Sequence, residues 1–132
     1  MNVEQYIVRT LSADPSVAAL AGARVFSELA PQDETKPHVV IGQNSREDDV
    51  AMDGPTGVGR VMVEVTCWAS RRRDSSALAR AVRAVLSSHS GGAEGLDVQG
   101  CFPGSESWDF DAERKLYATT REWEVWASGA EN

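Results

Sequence analysis

Residues 60–69 read RVMVEVTCWA, a run in which apolar and polar side chains alternate. Val61, Val63, Val65 and Cys67 fall on one face of an extended chain, because successive side chains of a strand point to opposite sides. A strict period of two over ten residues is typical of a β-strand that is buried on one face. This is the strongest strand in the sequence, and the rest of the fold is predicted outward from it.

A helix is predicted directly after this strand. Asp74 is a residue type that caps helices, and the pair Gly91-Gly92 provides a stop. Between them an apolar stripe recurs at helical spacing. Its members are Leu78, Val82, Val85 and Leu86. This segment is predicted to be the main core helix.

Two small helices are predicted at the start of the chain. Asn2 with Gln5 three residues later fits a capping box, and apolar side chains then recur at helical spacing until about Ala13. Asp14-Pro15, followed by Gly22, supplies the cap, the first-turn proline and the terminal glycine of a second helix.

The remaining apolar segments predict strands, which are His38–Gln43, Leu96–Phe102, Glu106–Asp111 and Leu116–Ala127, with Val25–Ser27 as a short further candidate. Residues 44–59 combine acidic residues with glycine and proline, and they are predicted to form a long exposed hairpin arm. The order of elements predicts an α+β fold. It has an antiparallel sheet of about four to five strands with helices packed on one face, and residues 1–132 form a single domain.

Composition excludes several classes of protein. The formal net charge of −7 repels phosphate backbones, so specific nucleic-acid binding is not expected. No apolar run is long enough to span a membrane, and the N-terminus lacks the pattern of a secretion signal, which predicts a protein that stays in the cytoplasm where it is made. Cys67 and Cys101 have no metal-type spacing and are predicted to be buried, reduced thiols.

No set of residues in the sequence indicates catalysis, a metal site or a cofactor. The glycines of residues 53–59 lead into a strand, whereas a phosphate-binding loop leads into a helix. The acidic residues near them lack the spacing of a calcium loop. His38 and His89 lie far apart in sequence, and no nucleophile and base can be assigned to either. From these patterns we predict that the protein is not an enzyme.

Two charged clusters are candidates for a subunit or partner interface. One is basic and consists of Arg71, Arg72 and Arg73. The other is acidic and consists of Glu47, Asp48, Asp49 and Asp53. The alternative for each cluster is ordinary solvated surface, which is what a run of charged residues usually forms. Self-complementary charge of this kind suits copies that associate head to tail in a ring.

Four tryptophans are many for a chain of this length. In the last strand, Trp123 and Trp126 are predicted on opposite faces of the sheet. Since aromatic side chains beyond those needed in the core often anchor interfaces, Trp108 and Trp126 are further interface candidates. The alternative is that all four lie in the core.

The order of motifs along nearly the whole chain resembles the tail-completion protein family of long-tailed phages and prophages. The motifs are ADPSVAAL at residues 13–20, ARVF at 23–26, PHVVI at 37–41, DGPTG at 53–57, VEVTCWA at 63–69, ALARAVRA at 77–84, VQGCF at 98–102 and the final Val125-Trp126. The resemblance implies a structural virion protein that forms a ring, usually a hexamer, at the head-proximal end of the tail. Such a ring stops tube growth and joins tail to head.

The resemblance also implies partners and a location. The partners would be further copies of the chain, the tail tube protein and a head-completion or connector protein, while DNA passes through the ring without specific binding. The protein would move from the host cytoplasm into the virion.

Two alternatives stay open, namely a head-completion or neck ring protein and an α+β module that binds a small molecule or peptide in a tryptophan-rich pocket. A hydrolase would need a nucleophile and base that the sequence does not indicate.

Overall fold

The computed structural model describes residues 1–51 and 54–129, and for residues 47–51 and 54–57 it describes the backbone alone. Within these ranges the chain forms three helices and six strands. The helices are α1 (Val3–Ala13), α2 (Pro15–Ala21) and α3 (Arg72–Leu86). The strands are β1 (Val25–Ser27), β2 (His38–Ala51), β3 (Gly54–Ala69), β4 (Gly91–Ala93), β5 (Leu96–Asp111) and β6 (Leu116–Gly129).

All six strands lie in one sheet with the order β1-β2-β3-β6-β5-β4. The prediction of an α+β fold is confirmed, whereas the prediction of a purely antiparallel sheet of four to five strands is wrong. β1 pairs parallel with β2, because the loop after Ser27 returns to the same end of the sheet before β2 begins. β4 adds a sixth strand by pairing with Leu96–Val98, at glycines that had been predicted only to end a helix.

The core lies between the helices and one face of the sheet, here called the helix face. The odd-numbered residues from Val61 to Cys67 point to this face, as the alternation of residues 60–69 predicted. Trp123 and Val125 of β6 lie beside them, paired with Val63 and Val61. Helical side chains complete the cluster, namely Val3, Tyr6, Ile7, Leu11, Val17, Ala21, Leu78, Val82 and Leu86. Burial of apolar surface on this face is the main stabilising contribution to the fold.

The helix boundaries follow local capping chemistry at the N-terminus. The amide of Gln5 donates to the Asn2 side chain over 2.8 Å, and the Gln5 side chain accepts from the Asn2 amide over 3.0 Å, which confirms the capping box. Asp14 caps α2 by accepting from the amide of Val17. Gly22 ends that helix with a positive φ of 59° that glycine adopts without strain.

The predicted boundaries of α3 are corrected at both ends. The helix begins at Arg72, with Arg71 at the N-cap and no side-chain capping bond, so Asp74 does not cap it. Asp74 instead lies in the first turn, where its charge is favourable toward the helix dipole. The helix ends at Leu86, five residues before Gly91, because Ser88 takes a left-handed conformation with φ 58°.

Two strand predictions also change. Residues 96–111 form one strand and not two, because a shift in register between Pro103 and Glu106 absorbs the proline and glycine as a β-bulge. Residues 44–51 and 54–59 extend β2 and β3 as a paired hairpin down to Ala51 and Gly54. β6 begins its pairing with β3 only at Val58, so the end of this hairpin projects past β6 as an arm.

Candidate subunit interface

The outer edge of β5 is open along most of its length. β4 pairs only with Leu96–Val98, and the amide of Ser88 donates to the Cys101 carbonyl over 3.0 Å. In the part of the chain that the structure describes, no strand pairs with this edge beyond Val98. Open edges are sites where another chain can add.

Trp108 lies on this open stretch of β5 and is 53% exposed. It pairs with Thr119 of β6 and therefore points to the helix face, beyond the first turn of α3. The guanidinium of Arg72 lies over the indole, with 5.7 Å between Cζ and the ring centroid, which is within the range of a cation–π contact. The structure thus brings together two interface candidates that are 36 residues apart.

Arg71 and Arg73 flank Arg72 at the start of α3, and all three side chains are exposed. No carboxylate of the described residues forms an ion pair with any of them. We call Arg71, Arg72, Arg73 and Trp108 together the Arg–Trp patch. It combines an aromatic surface with positive charge, a composition enriched in the centres of protein interfaces.

Ser75 fixes the start of α3 against the sheet beneath the Arg–Trp patch. Its buried hydroxyl lies 2.7 Å from the Cys67 carbonyl and 2.8 Å from the hydroxyl of Thr119. Thr119 is also the register partner of Trp108. Because one buried serine ties the start of α3 to β3 and to the β6 residue that pairs with Trp108, Arg72 and Trp108 are held in a fixed relation.

The bulge in β5 is also held in place. Arg121 of β6 donates to the Gly104 carbonyl over 2.9 Å and pairs with Glu106 over 3.1 Å. Further along, the ring of Phe110 packs on Tyr117 with 4.7 Å between centroids, yet Phe110 stays 45% exposed. The open edge is therefore a fixed surface with aromatic groups facing solvent.

Trp126 lies on the opposite face of the sheet, here called the outer face, as the alternation of β6 predicted. Its indole Nε1 donates to Glu124 over 2.7 Å, and the ring is half-buried. Together with Val58, Gln99, Gly100 and Phe102 it lines an open groove of about 460 Å³. Trp126 and Trp108 are thus parts of two separate surfaces.

The other two tryptophans have structural positions. Trp123 is 1% exposed and lies in the core. Trp68 stacks on the buried His38 ring, and the Cζ atom of Arg114 lies 4.5 Å from the centroid of the Trp68 ring. Burial lowers the pKa of His38, and its Nδ1 lies 2.7 Å from the Lys36 carbonyl. The alternative in which all four tryptophans lie in the core is wrong, because Trp108 is half exposed.

A cavity of about 660 Å³ lies on the outer face beside Trp68. It is lined by Glu28, Leu29, Ala30, Gln32, Val40, Thr66, Trp68, Asp111, Glu113 and Arg114. The void beside Trp123 is only about 10 Å³, and Trp108 does not line it. A tryptophan-rich pocket formed by Trp108 and Trp123, which a small-molecule or peptide-binding module would need, is not found among the described residues.

Three of the four acidic candidates, Glu47, Asp48 and Asp49, lie in the arm. Glu47 and Asp48 pair through their backbones with Arg60 and Gly59. Asp49 lies at a shift in register between Asp48 and Val50. The side chains of these three residues and the whole of Asp53 lie outside the described residues, so their role at an interface stays a prediction.

Groups with potential reactivity are few among the described residues. These residues contain no group of three or more metal-binding side chains and no helix long and apolar enough to cross a membrane. Cys67 and Cys101 are free and buried, as predicted. Burial raises the pKa of Cys67 to about 12 and that of Cys101 to about 11, so both thiols stay protonated at neutral pH.

Sequence patterns did not indicate the exposure of three apolar side chains, namely Leu29, Phe102 and Phe110. Phe102 and Phe110 lie in segments that were predicted as strands, where an aromatic residue is ordinarily taken as core. The available signal was the proline and glycine at 103–104, which mark an edge strand or a bulge, and a free edge leaves its aromatic residues uncovered.

Comparisons with known proteins identify a family and a solved structure with a similar fold. Residues 5–128 match the family described as Tail completion protein gp17. No curated protein matches the chain. Among solved structures, a chain of the "Virion of native gene transfer agent (GTA) particle" is similar, with a TM-score of 0.77 and 19% identity, over 97% of this chain and 96% of that chain. At this identity the structural likeness shows a common fold.

Proposed function

The chain belongs to the tail completion protein gp17 family and is a structural component of a phage-like virion and not an enzyme; from this premise we propose that it is a tail-terminator subunit. Copies of it form a ring, by resemblance a hexamer, at the head-proximal end of the tail. The ring stops growth of the tail tube and joins the tail to the head. The similar fold of a chain in a gene transfer agent virion supports this role.

The observation that carries the proposal is the Arg–Trp patch on the open edge of β5. A tryptophan that is half exposed and held beneath an arginine contributes little to the stability of a monomer. Tryptophan and arginine are the residue types that most often dominate binding energy at interfaces. A subunit contact at this edge would cover both.

The arm formed by β2 and β3 supports a second contact. Long extensions of a compact domain are usually functional, and this one projects past β6. Its acidic residues Glu47, Asp48, Asp49 and Asp53 are candidates for contact with a neighbouring copy or with the tail tube protein. The Trp126 groove at the base of the arm, which includes Val58, is a candidate for the same partners.

The overall charge fits a ring that surrounds DNA without holding it. Six copies carry six times −7, that is a formal charge of −42. Negative charge around a channel repels the phosphate backbone, so DNA passes without adhesion. The remaining partner of the proposed ring is a head-completion or connector protein on the side that faces the head.

The test is the mass of the purified protein in solution, measured by light scattering alone and after mixing with tail tube protein. We expect a discrete ring in at least one sample and tubes whose ends are capped in electron micrographs. A monomer in both samples, with tubes that continue to grow, would contradict the proposal. Leu20→Ser, which changes an exposed residue of α2 that belongs to neither the Arg–Trp patch nor the Trp126 groove, is the control substitution and should behave as the unmodified protein.

A head-completion or neck ring protein is the alternative from the same structural class. The same experiment separates the two, because a neck protein assembles on the head connector and leaves free tube ends uncapped.

A further inference from the structure

Positive charge on this protein is concentrated where the Arg–Trp patch lies. Residues 71–74 contain three arginines and one aspartate, a net charge of +2 on a chain whose total is −7. Since no carboxylate of the described residues pairs with these guanidinium groups, their charge is available to another molecule. The patch thus fits an acidic partner with an apolar side chain that can cover the indole.

This chain carries such a surface on its opposite edge, in residues 28–36 after β1, here called the edge loop. The edge loop contains Glu28, Asp33, Glu34 and Lys36, a net charge of −2. Beside Glu28 lies Leu29, which is 82% exposed, the highest exposure among the large exposed apolar residues.

The backbone holds Leu29 outward in a tight turn. Its amide donates to the Ser27 carbonyl over 2.8 Å, and the amide of Glu28 donates to the Ile41 carbonyl over 2.7 Å. Glu28 itself has a φ of 68°, a left-handed conformation that is uncommon for residues other than glycine. The strained turn therefore holds the exposed Leu29 side chain in a fixed position, and strain of this kind is concentrated at functional sites.

The two surfaces start from opposite edges of the sheet and lie on opposite faces, because Trp108 points to the helix face whereas the edge loop borders the outer-face cavity beside Trp68. A single register row runs from Trp108 through Thr119, Cys67 and Val39 to Val25 on β1. Four strand spacings of about 4.8 Å separate the ends of this row along the sheet. Two different surfaces on opposite sides of a subunit are what a head-to-tail ring requires.

We infer that the edge loop of one copy docks on the Arg–Trp patch of the next copy. Leu29 packs against the indole of Trp108, and the carboxylates of Glu28, Asp33 and Glu34 face the three arginines. Each subunit uses both surfaces, so the contact repeats around the ring. This inference rests on the proposed ring and specifies which residues form its seam.

Mixing two defective variants tests the seam. The loop variant carries Leu29→Asp, and the patch variant carries Arg72→Glu with Trp108→Ala; all three residues are exposed, and circular dichroism checks that both variants fold. We expect each variant to stay at the monomer mass of 14.3 kDa under conditions in which the unmodified protein forms rings. Mixed together, they should form a dimer of twice that mass and stop, because one intact seam joins them and both outer surfaces are defective.

Each other outcome overturns the seam in a distinct way. If the loop variant alone still forms rings, the seam lies elsewhere, while the proposed function stands. If Leu29→Asp has no effect and replacement of Glu47, Asp48 and Asp49 by lysine takes over its role in the mixing experiment, the acidic partner of the patch is the arm. If the unmodified protein forms no ring even with tubes, the proposed function fails and the seam fails with it.

Cross-linking gives an independent measurement that leaves the seam residues intact. Ala30→Cys introduces a thiol in the edge loop, and Ser70→Cys introduces one beside the Arg–Trp patch. The native thiols do not interfere because both are buried. Under mild oxidation of the assembled protein we expect a ladder of linked subunits on a denaturing gel. The control pair is Leu20→Cys with Ser70→Cys, which should give no ladder; an equal ladder from both pairs would contradict the seam.

Discussion

The two halves of β5 differ in how much of each is buried. In the first half Leu96, Val98 and Cys101 are buried, and the residues between them alternate as in an ordinary half-covered strand. In the second half, residues 102–111 have no buried member, although Phe102, Trp108 and Phe110 are among them. One continuous strand is thus part of the core at one end and solvent-exposed at the other.

The difference follows from what lies over each half. α3 ends at Leu86, close to the first half, and β4 closes the outer edge there. The start of α3 lies beside Trp108 but covers it only with the Arg72 side chain. Because the chain completes its core without the second half, the aromatic residues of that half are free to serve an assembly.

The largest effect that would test this difference is on stability. Trp123→Ala removes a side chain from the core and should lower the free energy of unfolding by about 3–5 kcal/mol. Trp108→Ala removes the same side chain from the same face of the sheet, yet it should cost less than about 1 kcal/mol, because only solvent-exposed contacts and one cation–π contact are lost. Urea unfolding followed by circular dichroism measures both.

Assembly should respond in the opposite order. Trp108→Ala should weaken ring formation while leaving the monomer folded, whereas a folded fraction of Trp123→Ala should still associate. A cost above about 2 kcal/mol for Trp108→Ala would mean that the second half of β5 belongs to the core after all.

A smaller effect on stability is expected at Ser75, which joins the start of α3 to the sheet. Ser75→Ala removes both hydrogen bonds of the buried hydroxyl and takes this partner from the Thr119 hydroxyl, which should cost about 1–3 kcal/mol. Ser76→Ala, at the next and less buried position, is the matched control and should change stability by less than about 0.5 kcal/mol. Equal effects of the two substitutions would show that Ser75 does not anchor the helix.

Local patterns predicted the parts of the fold that each segment determines by itself. Alternation identified β3 and β6 and assigned Trp123 and Trp126 to opposite faces, since side-chain direction in a strand depends only on position. The capping box at Asn2 was predicted for the same reason: all its hydrogen bonds lie within four residues.

Sequence patterns failed to predict the continuity of β5, the Arg72–Trp108 contact and the exposure of Leu29, because a distant segment decides the structure there. Residues 96–111 become one strand because β6 pairs with both sides of the bulge, and Arg121 ties the bulge down. The contact between Arg72 and Trp108 depends on which strand lies beside the start of α3, so spacing in the sequence could not predict it. The exposure of Leu29 likewise depends on the parallel pairing of β1, which places the turn at an open edge.

The smallest expected effect is electrostatic and lies at the far end of the open half, in the turn from Asp111 to β6. Arg114 donates from Nε to the Asp111 carboxylate over 2.8 Å, and this hydrogen bond is the main reason that the pKa of Asp111 is lowered; bonds from the backbone amides of Arg114 and Glu113 act in the same direction. A lowered folded-state pKa stabilises the turn above the unfolded value, and this stabilisation is lost as the pH falls through the folded value, below 3.8.

Arg114→Met should therefore raise the pKa of Asp111 toward 3.8 in a carboxyl NMR titration, while Lys115→Met, which removes a neighbouring charge without a bond to Asp111, should leave it unchanged. Arg114 also covers Trp68. If the Asp111 titration is unchanged in Arg114→Met, the turn is held by its backbone and by the aromatic contact. The ion pair between Arg114 and Asp111 would then contribute nothing to the end of the open half of β5.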